Sequence, residues 1–187
     1  MTSAGGDHSD GELAALALAG RQSAYRELMN RHRSPIYRLV RGAIGDADEA
    51  LDLTQETFVA AFQALRTYDP GRSFRPWVSR IAINKCRDWR RRRAVRRLIA
   101  FALPLEAGMA VSDHGVPVDQ GLLDREDLRR VSIAIAALPG AVREPLVLRA
   151  IEGLSQAETA GVLGISEKAV ETRVRRARAR LSEILRD

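Results

Sequence analysis

Apolar residues recur at three- and four-residue spacing through most of the chain, and no long period-2 alternation of β-branched residues interrupts them. That pattern predicts helices and no sheet. Ser9 followed by Glu12 predicts a capping box opening a short helix that ends near Gly20. Ser34-Pro35 sets a capping hydroxyl before a proline suited to a first helical position, which predicts a helix start. Asp46 followed by Glu49 predicts another, with Leu51, Thr54, Phe58, Phe62 and Leu65 as its apolar stripe. Asp69-Pro70-Gly71 reads as a turn, after which Ser73 caps a long helix through Phe74, Trp77, Ile81 and Trp89. Pro76 falls in the first turn of that helix, where its missing N–H is tolerated.

Periodicity then lapses. Ile99 to Leu123 contains Pro104, Gly108, Gly115, Pro117 and Gly121, punctuation that breaks helix and strand alike and reads as a flexible linker. The expected organisation is all-α, with one helical domain over residues 10–97, a linker over 98–123 and a second domain over 124–187. In the second, Leu128, Val131, Ile135 and Leu138 form a stripe ended by Pro139-Gly140. Another helix runs through Val142, Leu146 and Ile151 to Gly153. Ser155 and Glu158 then make a capping box for a short helix, Gly164 permits a left-handed turn, and Ser166 caps the last helix. A short helix, a tight turn and a capped second helix predict a helix-turn-helix.

Charge adds a partner. The 187 residues carry 30 Lys and Arg against 24 Asp and Glu, a formal net charge of +6. Hydrophobic residues at 45% are too many for a disordered chain. The positive excess is clustered, which points to a polyanion whose counterions it would release. The last helix sets Val170, Val174, Ala177 and Leu181 on one face and Lys168, Glu171, Thr172, Arg173, Arg175, Arg176, Arg178 and Arg180 on the others. A basic face alone is usually a solvated surface; behind a capped helix and a glycine turn it predicts a DNA reader. The start of such a helix enters the major groove. Base readout therefore falls to Lys168, Glu171, Thr172 and Arg175, and backbone contact to Arg176, Arg178 and Arg180.

Other chemistry is not suggested. The single cysteine, Cys86, excludes an internal disulfide and a CxxC pair, and the three histidines lie far apart. No Ser/His/Asp set, phosphate-cradling glycine loop or metal cluster is visible, so neither an enzyme nor a cofactor is expected. The opening residues lack a basic-then-apolar leader, and the run Leu98 to Leu103 is too short to span a bilayer. A cytoplasmic protein without membrane insertion is expected. The absence of a heptad seam predicts a monomer when free.

The first block narrows the reading. Its Asp52-Leu53-Thr54-Gln55-Glu56-Thr57-Phe58 is followed by Ala64-Leu65-Arg66-Thr67-Tyr68-Asp69, then by Ser73-Phe74-Arg75-Pro76-Trp77 through Asn84 to Lys85-Cys86-Arg87-Asp88-Trp89-Arg90-Arg91-Arg92-Arg93. This succession resembles region 2 of RNA polymerase sigma factors of the extracytoplasmic-function group. The second block, with Leu-Pro, Glu-Gly-Leu-Ser and Arg-Ala-Arg elements, resembles their region 4. The resemblance implies a stress-responsive factor that directs core RNA polymerase to promoter DNA, often under an anti-sigma protein. By it, Asp52, Gln55 and Glu56 bind core polymerase, while Asn84 lines the pocket for a flipped base of the −10 element. Asp69, Arg72 and Ser73 belong to the rim loop, and Lys85, Arg87, Arg90 and Arg91 to the phosphate-facing surface. Region 4 reads the −35 element. Members often carry Lys or Arg where this chain has Glu171; a carboxylate there favours the amino group of cytosine.

Several readings stay open. Trp77 and Trp89 are either base-stacking platforms or core residues. The acidic residues around Asp52 also fit a plain solvated surface. Leu98, Ile99, Phe101, Leu103 and Leu105 either extend the last helix of the first domain and pack there, or are covered by a partner. A regulator that binds DNA without polymerase, or a helical interaction module, remains the rival class.

Overall fold

A computed structural model describes residues 8–102 and 122–186, with side chains described for 8–99 and 129–186. Among the described residues every regular element is helical: α1 (Asp10–Leu18), α2 (Gln22–Ile44), α3 (Ala47–Gln63), a 3₁₀ turn (Leu65–Thr67), α4 (Phe74–Ala102), α5 (Leu122–Ala137), α6 (Gly140–Ala150), α7 (Gln156–Leu163) and α8 (Glu167–Ile184). Ser9 and Glu12 form the reciprocal capping box at the start of α1. Asp46 accepts the Glu49 amide at the start of α3. Asp10 ties α1 to α2, its two carboxylate oxygens meeting Arg31 at 3.3 Å and His32 at 2.8 Å.

Ser34-Pro35 does not begin a helix. It lies inside the 23-residue α2. Pro35 has no N–H to give to the Arg31 carbonyl, a defect of about 3 kcal/mol in a helix interior. Ala24, Leu28, His32, Ile36, Leu39, Val40 and Ala43 nevertheless form one buried stripe through it. Each fully buried large aliphatic contributes about 1.5–3 kcal/mol, so the stripe outweighs the proline. A second correction concerns α3, whose buried face is Ala50, Leu53, Thr54, Thr57, Phe58 and Ala61. Leu51, expected on that stripe, is exposed.

The core is centred on Phe74, Leu28, Ile36, Leu39, Leu53, Leu65 and Ile83, each almost fully buried. Trp77 is half-buried against Phe74 and Tyr68, with ring centroids 5.2 and 5.3 Å away, which settles it as a packing residue. Val147, Leu148, Leu154 and Val162, from the chain beyond the linker, join this same core. A smaller cluster of Leu138, Val142, Leu146 and Ala177 holds α8 to α5 and α6.

Helix α4 continues past Arg97 to Ala102, so the segment expected as linker begins as helix. Leu98 and Ile99 do extend the helix, but they do not pack on the domain; both stand exposed with Val95. At the other end α5 begins at Leu122, before the expected boundary at 124. Pro104, Gly108, Gly115, Pro117 and Gly121, with Leu103 and Leu105 and the side chains of Phe101 and Leu128, lie outside what is described.

Candidate nucleic-acid and polymerase interfaces

The helix-turn-helix is built as its residues predict. Ser155 and Glu158 exchange both capping bonds at the head of α7. Gly164 takes φ 66° and ψ 38°, a left-handed conformation that costs a side-chain-bearing residue more than glycine, and it turns the chain at the end of α7. Ser166 then accepts the Ala169 amide at the head of α8. Val170 and Ala177 are buried and Val174 and Leu181 partly so, which rotates the opposite face of α8 outward. Lys168, Glu171, Arg175, Arg176, Arg178 and Arg180 are exposed there. Lys168 pairs with Glu171 at 3.0 Å, and the Thr172 hydroxyl donates to the Lys168 carbonyl at 2.9 Å. Hydrogen bonds donated by the Ser155 amide and hydroxyl hold the Glu158 carboxyl below its usual range.

The structure divides the three α3 residues expected to meet core polymerase. Asp52 and Glu56 face an open cleft of about 630 Å³ between α3 and the end of α4, walled on its far side by Arg91, Arg92 and Arg96 and floored by Leu53 and Trp89. Gln55 faces the other way, towards Tyr37 and Leu51 in a smaller groove against α2. Glu56 also meets Lys85 at 3.3 Å.

The residues expected to read the −10 element fare unevenly. Asn84 is exposed on α4, its carboxamide oxygen 3.4 Å from Arg87. In the preceding loop the Asp69 carboxylate accepts the Gly71 amide at 3.0 Å and pairs with Arg72 at 3.2 Å, and Ser73 is exposed. Arg91 is exposed and paired with Asp88 at 2.9 Å. Trp89 is a correction. It is buried, its indole N–H donates to Glu49 at 2.7 Å, and the Arg93 guanidinium sits 5.0 Å from its ring centre. A ring so enclosed offers no face to a base. Arg90 is the second correction: its guanidinium donates to the Ala43 carbonyl at 2.6 Å, and burial lowers its pKa. It braces α4 on α2 rather than facing a phosphate.

Glu144, Arg75, Glu152 and Arg80, which sequence reasoning missed, complete this face. Arg87 is gripped by Glu144 of α6 through three contacts of 2.6–3.2 Å, which raise the pKa of its guanidinium. Arg75 donates to the Glu152 carboxylate at 2.6 Å and also to the Glu152 carbonyl. Arg80 donates to the Gly161 carbonyl in α7. These partners lie 57 to 81 positions apart in the chain, so no local pattern announces them. Nearby, burial and the neighbouring Arg90 bring Arg143 down to about 10, and burial pushes the Cys86 thiol up to about 12.

No helix among the described residues is long and apolar enough to cross a membrane. Residues 28–96 match the family Sigma-70 region 2, and residues 128–181 match Sigma-70, region 4. The chain is similar to the RNA polymerase sigma factor CnrH of Cupriavidus metallidurans, 41% identical over 96% of this chain and 95% of that protein. It is also similar to the ECF RNA polymerase sigma factor SigM of Mycobacterium tuberculosis, 33% identical over 97% of this chain and 88% of that one. Among solved structures, CnrH in complex with the cytosolic domain of CnrY is similar at a TM-score of 0.70 and 39% identity, over 94% of this chain and 96% of that chain. The sigma factor RpoE with the anti-sigma factor NepR from Bartonella quintana, at 21% identity, TM-score 0.69 and coverage of 87% and 96%, shares the fold.

Proposed function

This chain belongs to the RNA polymerase sigma factors of the extracytoplasmic-function group, transcription initiation factors that direct core polymerase to promoters, and from that membership we propose which of its surfaces meets which partner. Residues 10–97 bind core polymerase and open the −10 element; residues 124–187 read the −35 element. The observation that carries this assignment is the pair of cationic helices, α4 and α8, set in the two halves of one chain. A regulator acting without polymerase has need of one such helix. The chain acts in the cytoplasm, performs no catalytic step of its own, answers stress, and is held in check by an anti-sigma protein, as the solved relatives with CnrY and NepR suggest.

At the −35 element, Lys168, Glu171, Thr172 and Arg175 meet base edges while Arg176, Arg178 and Arg180 meet phosphates. Only the first set carries sequence information, each good bidentate contact being worth about 1–3 kcal/mol of discrimination. At the −10 element a base must leave the stack, which needs a pocket and cations on the flanking phosphates. Asn84 and the loop Asp69 to Ser73 supply the pocket; Lys85, Arg87 and Arg91 supply the charge. Asp52 and Glu56 meet core polymerase at their cleft and Gln55 at the adjoining groove.

Run-off transcription with purified core polymerase on a promoter library tests the reading. Discrete start sites are expected, and none without the chain. Glu171→Ala with Thr172→Ala should flatten −35 preference with little change in total binding. Charge reversal at Asp52 and Glu56 should weaken core binding without unfolding the domain. Failure to associate with core, or to start RNA at any site, overturns the assignment.

A further inference from the structure

We propose that α1 sets the geometry of the −10 pocket without touching DNA. Gly11 fixes the height of the rim loop through Pro70, and Asp10 fixes the loop's ends through His32 and Phe74. The proposal deepens the assignment of Asp69 to Ser73 to that pocket and rests on it. Helix α1 lies ahead of residues 28–96, so the region 2 assignment leaves it without a task.

The rim loop needs outside support. Asp69, Pro70, Gly71, Arg72 and Ser73 are all exposed, and no regular element runs through them. The Asp69 carboxylate ties down only Gly71 and Arg72, which shapes the loop but does not place it. At its apex the loop lies on α1. A Cβ added to Gly11 would come within 2.7 Å of the Pro70 carbonyl oxygen and 3.3 Å of the Pro70 Cβ. Glycine inside a helix costs about 1 kcal/mol against alanine, and here it permits close approach to this one loop.

The neighbouring residue reaches the ends of the loop. One Asp10 oxygen meets His32 at 2.8 Å, and the buried His32 ring lies against Phe74 with centroids 4.9 Å apart. Phe74 begins α4 directly after the loop, and Tyr68 directly before it packs on Phe74 at 5.2 Å. The Tyr68 hydroxyl then donates to the Arg72 carbonyl at 2.6 Å. Arg31 holds the other Asp10 oxygen at 3.3 Å and the His8 carbonyl at 2.6 Å, so the head of α1 is fixed at more than one point. A polar pair of this kind adds little net stability over apolar packing, but it admits one alignment of α1 on α2. A helix that only covered the core would need Leu13, Ala14 and Ala17, which are buried, and neither the glycine nor the pair. A pocket that captures one base must hold its walls to about 0.5 Å. Gly11, Asp10 and His32 are positioning residues for that wall.

The test uses the full chain with core polymerase on two promoter libraries, one randomised at the −10 element and one at the −35 element. Gly11→Ala favours the helix and must displace the Pro70 carbonyl by about 0.8 Å to reach ordinary contact distance. Asp10→Ala cuts the tie to His32, and Asp10→Asn keeps an acceptor for it. Selectivity at the −10 element should fall about tenfold in Gly11→Ala and Asp10→Ala, within what a misplacement of about 1 Å can cause. Most of it should return in Asp10→Asn. Core affinity and −35 selectivity should stay within about twofold, because those surfaces share no partner with α1. The melting temperature of Gly11→Ala should not fall. Unchanged −10 selectivity in both Gly11→Ala and Asp10→Ala overturns the proposal. So does a parallel loss at both elements that follows the melting temperature, the mark of a helix that only stabilises. Asn84→Ala is measured alongside: −10 selectivity indifferent to Asn84 sinks the pocket assignment itself, and the proposal falls with it for that separate reason.

Discussion

At Trp89 an indole flat enough to stack on a base instead gives its N–H to Glu49 and its face to Arg93. The sequence left its role open because the positions around it, Arg90 to Arg93, are cationic in either case. What decides it is α3, forty positions away, and no spacing rule reports that. Replacing Trp89 by Phe removes the donor and keeps a ring. Stability should fall by about 1–2 kcal/mol in a urea titration, the cost of leaving a charged acceptor short of a partner. Affinity of the holoenzyme for promoter DNA should stay within twofold of wild type, whereas a stacking residue would lose far more. Cys86 makes the complementary case. It is buried between charged chain neighbours, and burial pushes the thiol up to about 12. It is therefore neutral at physiological pH and should stay unmodified by Ellman's reagent in the folded chain, reacting fully in denaturant.

Helix ends were the most legible elements because a cap is a contact between residues three apart. Ser9 with Glu12, Asp46 with Glu49, Ser155 with Glu158 and Ser166 before Ala169 all appear where the side chains place them. Ser34-Pro35 has the same local chemistry and fails, because the buried stripe of α2 runs straight through it. A local signal decides only where tertiary packing is neutral. The capping box of α7 yields a prediction at this scale. Ser155→Ala should cost about 1 kcal/mol. The Glu158 carboxyl is held below its usual value in the folded state, so its contribution is complete above about pH 4.5 and is lost as pH falls through the lowered value. Thermal melts of the wild type should therefore lose stability in that acid window, and Ser155→Ala should lose less of it.

Across the whole molecule, the two halves were legible separately and their contact was not. Composition and periodicity mark out residues of each domain, yet Arg75, Arg80, Glu144 and Glu152 belong to a surface that exists only when the halves meet. Among these, Arg75 and Glu152 have nothing in their neighbourhoods to distinguish them from solvated charges. The shared core has a consequence for unfolding. When Val147, Leu148, Leu154 and Val162 pack into the first domain, neither half exposes its apolar surface without disturbing the other. Denaturation of the wild type should then be a single cooperative transition, seen together by tryptophan fluorescence, which reports Trp77 and Trp89 in the first half, and by helicity, which reports both. Gly42 on α2 lies against the Ile151 and Val147 side chains, so Gly42→Leu should part the halves. Each is then left with its own core, and that of the second, built on Leu138, Val142, Leu146 and Ala177, is the smaller. Helicity in the variant should fall in two steps, the first at lower urea and silent in fluorescence, with each slope shallower than the wild-type slope because less surface is exposed at once. Coincident single transitions in both chains would mean that the halves are joined by something other than the α2–α6 contact.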